Sequence, residues 1–114
     1  MITAEDTIIK MTEGDFGVAL PIEISVEQLT ADDVFSIKIF KSINTEPLII
    51  KEYSNIKDNI IEFKLTKEDS LKLSVGKYKY DLDWYQGESF LENIIAKQNF
   101  IVEEKAGVVN ENSN

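Results

Sequence analysis

The stretch SVGKYKYDLDWYQGE, residues 74–88, decides the fold class. On an extended strand, Tyr78, Tyr80, Leu82 and Trp84 project to one face while Lys77, Lys79, Asp81 and Asp83 project to the other. This alternation predicts a strand with one face sealed in a core and a mixed-charge face turned to solvent. Large aromatic side chains bury about 150–250 Å2 each. At roughly 25 cal/mol per Å2 the row supplies several kcal/mol of the driving force for folding. Gly76 and Gly87 bracket the row as turn residues, and Gly87-Glu88-Ser89-Phe90 reads as a turn that opens the next strand.

Working outward, the same period of two recurs. Toward the N-terminus, Ile37 lies within Val34–Lys41, a segment apolar on both faces and so predicted to be a central strand. Residues 48–53 form a further short strand after the break at Asn44-Thr45-Glu46-Pro47. Phe63 alternates with Ile61 and Leu65 against Ile60, Glu62 and Lys64. Thr7–Met11 reads as an edge strand closed by the turn formers Gly14 and Asp15. Leu20, Ile22, Ile24 and Val26 face one way along the next segment. Pro21, which has no N–H to donate, places that segment at a periphery or leaves its own position unpaired. Beyond the opening row, residues 88–95 and 100–103 are predicted strands, separated by a break at Lys97-Gln98-Asn99.

The single helical signal lies near residues 67–73, where Thr66 can cap and Glu68 and Asp69 occupy the first turn, favoured there by the helix dipole. Seven to eight short strands, turn signals every 8–12 residues and one helical turn predict an all-β chain. The expected fold is an Ig-like β-sandwich of antiparallel strands, with a small barrel as the alternative. Residues 1–105 are expected to form the one domain, with 106–114 a disordered tail.

Composition narrows the functional classes. Hydrophobic residues make up 43% and charged residues 29% of the 114, a balance that supports a packed core. The net charge is −9, and all twelve basic residues are lysine. A negative field without the bidentate arginine fork argues against nucleic-acid binding. No stretch reaches the ~18 apolar residues of a membrane-spanning helix, so no membrane partner is expected. Histidine and cysteine are absent, which removes the commonest general bases, nucleophiles and zinc ligands together.

Carboxylate pairs remain: Asp81 with Asp83 on one strand face, and Asp32 beside Asp33. Either pair has the chemistry for a calcium site or an acid/base couple. Lys77 and Lys79 on the face of Asp81 and Asp83 instead mark it as a solvated surface. No catalytic, metal or cofactor residue is therefore expected. The site residues are structural: Tyr78, Tyr80, Leu82, Trp84, Phe63 and Ile37 in the core, with Gly14, Asp15, Gly76 and Gly87 at turns. A carbohydrate-stacking platform is the alternative for the aromatics, with Tyr85 as its exposed member.

Two resemblances add to this reading. Glu68-Asp69, Leu71 and Gly76-Lys77-Tyr78-Lys79-Tyr80 resemble the corner of Ig-like sandwiches, where a tyrosine hydroxyl folds back onto the preceding backbone. The resemblance makes Tyr78 the corner tyrosine and puts Tyr80 where a disulfide cysteine usually stands. The second resemblance spans residues 7–104, through the strand ending at Gly14-Asp15, the segment from Leu65 to Asp81, and Phe100-Ile101-Val102. This arrangement is similar to the N-terminal Ig-like domain of upper baseplate proteins and related tail and head-fibre proteins of tailed phages of Gram-positive hosts. Here Gln98 or Asn99 stands where a glycine is common, and no long fibre segment follows residue 105. The resemblance implies a non-enzymatic virion protein, made in the bacterial host cytoplasm, that binds other virion proteins and copies of itself. A small acidic inhibitor of a host protein is the alternative suggested by the charge.

Overall fold

A computed structural model describes residues 2–25, 29–42 and 45–105. The tail at 106–114, Val26 and Asn44 lie outside the described residues. Eight strands and one short helix follow in the order β1 (Thr3–Glu5), β2 (Ile8–Thr12), β3 (Leu20–Glu23), β4 (Asp33–Phe40), β5 (Pro47–Ser54), β6 (Ile60–Phe63), α1 (Lys67–Leu71), β7 (Gly76–Gln86) and β8 (Ser89–Glu103). They build a six-stranded sheet, β1-β2-β8-β7-β4-β5, and a two-stranded sheet, β3-β6. The fold is all-β and sandwich-like. Its strands are not uniformly antiparallel, because β2 runs parallel to β8 with Ile9 opposite Phe100 and Met11 opposite Val102.

The core lies between the sheets. From the larger come Ile9, Met11, Phe35, Ile37, Ile39, Tyr78, Tyr80, Leu82, Phe100 and Val102, and from the smaller Leu20, Ile61 and Phe63, all in one buried cluster. Aromatic rings bridge the layers: Phe63 of β6 meets Phe100 of β8 edge-on at 6.4 Å, and Phe100 meets Tyr80 at 6.3 Å. Trp84 departs from the expected sealed row. It is half-buried at the rim, stacked on Phe35 with ring centroids 6.0 Å apart, and its indole N–H donates to Asp33 Oδ1 at 2.9 Å. A tryptophan at the end of a core suits this position, since its body is apolar and its N–H needs an acceptor.

Edges are handled by local chemistry. The Ile24 N–H bonds to the Asn59 carbonyl across the small sheet, so by alternation Pro21 has its backbone turned away from β6. Its missing N–H costs no ladder bond, and β3 is an edge strand. The Lys64 N–H just beyond β6 donates to the Tyr53 hydroxyl at 3.1 Å. The segment expected as an edge, Thr7–Met11, is instead internal, because β1 folds back onto it through Asp6 and Thr7 at φ 51° and 66°. Two consecutive positive φ values are what a two-residue hairpin requires. Thr7, β-branched and unfavourable there, is held by the Tyr80 hydroxyl, which donates to its carbonyl, and by Gln98 Nε2, which donates to its Oγ1 at 2.9 Å.

At α1, Thr66 Oγ1 accepts from the Asp69 N–H and Asp69 Oδ2 accepts from the Thr66 N–H, a reciprocal capping box. Lys51 on β5 bonds the same Asp69 oxygen at 2.7 Å, tying the crossover to the large sheet. The Tyr78 hydroxyl then donates to the Ser74 carbonyl at 2.9 Å, and its side chain is buried. Tyr78→Phe is expected to lower the unfolding free energy by about 1 kcal/mol with an unchanged m value in urea. Superimposable melts of the two proteins would show that this bond contributes nothing.

The largest difference from expectation is β8. Lys97-Gln98-Asn99 does not break the chain; residues 89–103 run as one strand of 15 residues against the 11 of β7. The extra length enters as three bulges. Tyr80 pairs with Gln98 but Leu82 with Ile95, Asp83 pairs with Asn93, and Trp84 pairs with Glu92 but Tyr85 with Phe90. Ile94, Leu91 and one residue of Ala96-Lys97, the latter at φ 47°, are thus surplus and coil the hairpin. At its tip Gly87 takes φ 61° as the first central residue of a two-residue turn, a conformation that favours glycine. Gly14 at φ 90° and Asp15, whose N–H bonds the Thr12 carbonyl at 3.0 Å, form the turn after β2. Gly76 is not a turn residue; it opens β7 opposite Val102.

Candidate functional site

The second face of the large sheet, turned away from β3 and β6, gathers the polar side chains with the most chemical potential. By register, Ser36 of β4 lies between Glu52 of β5 and Asp83 of β7, and Lys38 lies between Ile50 and Asp81. The expected solvated surface is not found here. Asp81 and Asp83 are only 8% and 7% exposed, and Ser36 is fully buried. Side chains from neighbouring strands fold over them. Lys97 donates to Asp81 twice, from its backbone N–H and from Nζ, each at 2.7 Å, while the same ammonium lies 3.8 Å from the centre of the Phe40 ring. Asn93 Nδ2 donates to Asp83 Oδ1 at 2.5 Å, and Lys38 Nζ stands 3.6 Å from Asp83 Oδ2 and 3.3 Å from the Tyr85 hydroxyl.

These contacts decide what the carboxylates can do. Each already faces an ammonium of the chain itself, so a cation would have to displace a lysine. Among the described residues no three carboxylates gather into a metal-binding group. The Ser36 hydroxyl has no partner, but it is shielded from water by this network. In the adjacent pair only Asp33 has its carboxylate engaged among the described residues. Asp32 is exposed, and its carbonyl accepts the Gly87 N–H at 2.8 Å, whereas Asp33 is buried and accepts from the Thr30 N–H at 2.7 Å, from Thr30 Oγ1 and from Trp84.

Two carboxyls are held below their ordinary range. For Asp33 the main cause is the Thr30 backbone N–H, opposed by burial and reinforced by Trp84. For Asp69 burial is the largest influence and acts upward, but the Lys51 ammonium and the Thr66 donors together outweigh it. Around the ordinary value of about 3.9, the native state therefore binds fewer protons than the unfolded chain. The stability these groups contribute is present above that value and is lost as pH falls through their lower native values. Urea melts taken on descending from neutral pH are expected to show stability falling below about pH 4. Asp33→Asn should flatten that fall; an unaltered slope would contradict the assignment.

The aromatics are not gathered into one flat outer surface. Tyr78 and Tyr80 are buried, and burial pushes the Tyr80 phenol up to about 12. Tyr85 is half-buried and meets Phe90 edge-on, with an interplanar angle of 74°, so the pair offers no continuous flat surface. Among the large apolar side chains left outward are Phe90 and Leu91 at the β7–β8 tip, Leu48 and Ile50 on β5, and Phe16 and Val18 before β3. The last two line a pocket of about 340 Å3 with Ile2, Leu65 and Asp15. Sequence reasoning missed these patches because each apolar pair sits where a strand meets a turn or an edge, and only the register shows which side is left uncovered. Comparison with known protein families, with curated proteins and with solved structures finds no match for this chain.

Proposed function

We propose that the protein is a non-enzymatic structural module of a tailed-phage virion, a baseplate, tail or head accessory part that works through contacts with other virion proteins and with copies of itself. One observation carries the non-enzymatic reading. Each of the three buried aspartates, Asp33, Asp81 and Asp83, is engaged by the chain's own donors, whereas large apolar side chains are left facing outward. Such a surface suits association better than bond making. The strand order supports the Ig-like element of the proposal: β8-β7-β4-β5 opposed by β3-β6 corresponds to G-F-C-C′ opposed by B-E, with the tyrosine corner at the start of the F strand. The phage assignment rests on the similarity of the segments around Gly14-Asp15, Leu65–Asp81 and Phe100–Val102 to baseplate and fibre domains.

Mass spectrometry of gradient-purified particles from the source phage or prophage tests it. The protein is expected at a fixed ratio to the other virion components. Its absence from intact particles, together with salt-sensitive binding to a host protein, would replace this reading by that of an acidic inhibitor.

A further inference from the structure

We propose that the tip of the β7–β8 hairpin, with the adjoining start of β4, is a docking surface whose occupant is a partner segment carrying apolar side chains flanked by lysine or arginine. This inference deepens the contact-making reading above and names the chemistry of one partner. The anchor is apolar: Phe90 is 56% and Leu91 44% exposed, Tyr85 packs edge-on against Phe90 at 5.6 Å, and half-buried Val34 stands opposite Tyr85. Leu91 is the surplus residue of the last bulge, between paired Phe90 and Glu92. That insertion lengthens the tip without adding a ladder pair, as bulges do where a strand re-aims its side chains.

The rim is acidic. Glu88 stands in the turn beside the anchor, and the bond from the Gly87 N–H to the Asp32 carbonyl brings exposed Asp32 to the same tip, whereas Glu92, opposite Trp84, lies on the other face. The lysine that reaches this end, Lys38, is committed to Asp83 and to the Tyr85 hydroxyl. Two exposed carboxylates beside an exposed phenylalanine therefore lack an ion-pair partner among the described residues. An apolar centre with a charged rim is the anatomy of a protein interface, and the rim's sign selects a basic occupant. Two other outward apolar pairs are less suited. On β5, Leu48 and Ile50 lie on an edge strand opened by Pro47 and interrupted by inward-facing Lys51, both devices that discourage docking. Beside Phe16 and Val18, the Asp15 carboxylate is occupied by the Thr12 N–H.

The test titrates the 15N-labelled full chain with acetyl-Lys-Leu-Phe-Lys-Lys-amide, and with acetyl-Glu-Leu-Phe-Glu-Glu-amide as the control. Shifts from the basic peptide are expected to concentrate at residues 32–34 and 84–92 and to weaken as salt is raised. Phe90→Ser, at an exposed position, and the double variant Asp32→Lys/Glu88→Lys should each weaken binding about tenfold while leaving the remaining spectrum in place. Shifts spread over the whole acidic surface, shifts centred on Phe16 or Ile50, or equal binding of the acidic peptide would overturn the proposal. Particle composition separates this inference from the virion reading. If wild-type protein is in particles and Phe90→Ser enters equally well, the docking surface is wrong and the virion reading stands. If wild-type protein is absent from particles yet the peptide maps to the tip, the reverse holds.

Discussion

Asp81→Ala is expected to lower the unfolding free energy by about 2–4 kcal/mol, whereas Asp81→Asn should cost only about 1–2 kcal/mol. Asp81 is 8% exposed, and its carboxylate receives two bonds from Lys97, one from the backbone N–H and one from the ammonium. That N–H belongs to a bulge residue at φ 47°, so no ladder partner can replace the lost acceptor. Alanine removes the acceptor of both donors. Asparagine keeps an acceptor for the N–H and loses the ion pair. The Lys97 side chain is 37% exposed, so its ammonium can rehydrate, which keeps the loss below that of a fully buried pair. Urea melts of the three proteins measure both steps. Equal stability of the alanine variant and the wild type would mean that Asp81 lies in solvent and that the bulge holds itself.

Phe100→Ala should be the most damaging substitution, at about 3–5 kcal/mol. Phe100 is fully buried, and its ring touches Phe63 from the opposite sheet and Tyr80 from the neighbouring strand. Truncation opens a cavity at the contact between layers, and two edge-to-face pairs disappear with it. A domain of this size has only about 5–15 kcal/mol in total. The variant is therefore expected to unfold at far lower urea, while Phe100→Leu, which keeps much of the volume, should lose about 1–2 kcal/mol. Comparable midpoints for Phe100→Ala and the wild type would place the ring outside the core.

The parts of this fold written in local pattern were legible. The alternations through Tyr78 to Leu82, Ile37 and Phe63 each mark an inner face, and Thr66 with Asp69 marks the helical turn, because period and capping depend on residues a few positions apart. Pro21 marked a periphery because one missing donor is a local fact. What escaped depends on distant partners. Lys97-Gln98-Asn99 has the composition of a turn, and only pairing with Tyr80 and Leu82 turns it into a bulged strand. Asp81 and Asp83 looked solvated because Lys97, Asn93 and Lys38 come from other strands, and the register alone brings them overhead. β1 has three residues without apolar alternation, and its turn uses Asp6 and Thr7 where asparagine or glycine would have given the signal. The docking tip was hidden for a related reason: Phe90 and Leu91 read as ordinary strand residues until the bulge removes one of them from the ladder.

Two β-layers close on an aromatic bridge from Phe63 through Phe100 to Tyr80. A two-dimensional NOESY spectrum with assigned aromatic rings tests it directly. Cross-peaks between the rings of Phe63 and Phe100, and between those of Phe100 and Tyr80, are the predicted result. A Phe63 ring with cross-peaks only to β3 and β6 residues would show that the layers do not meet there.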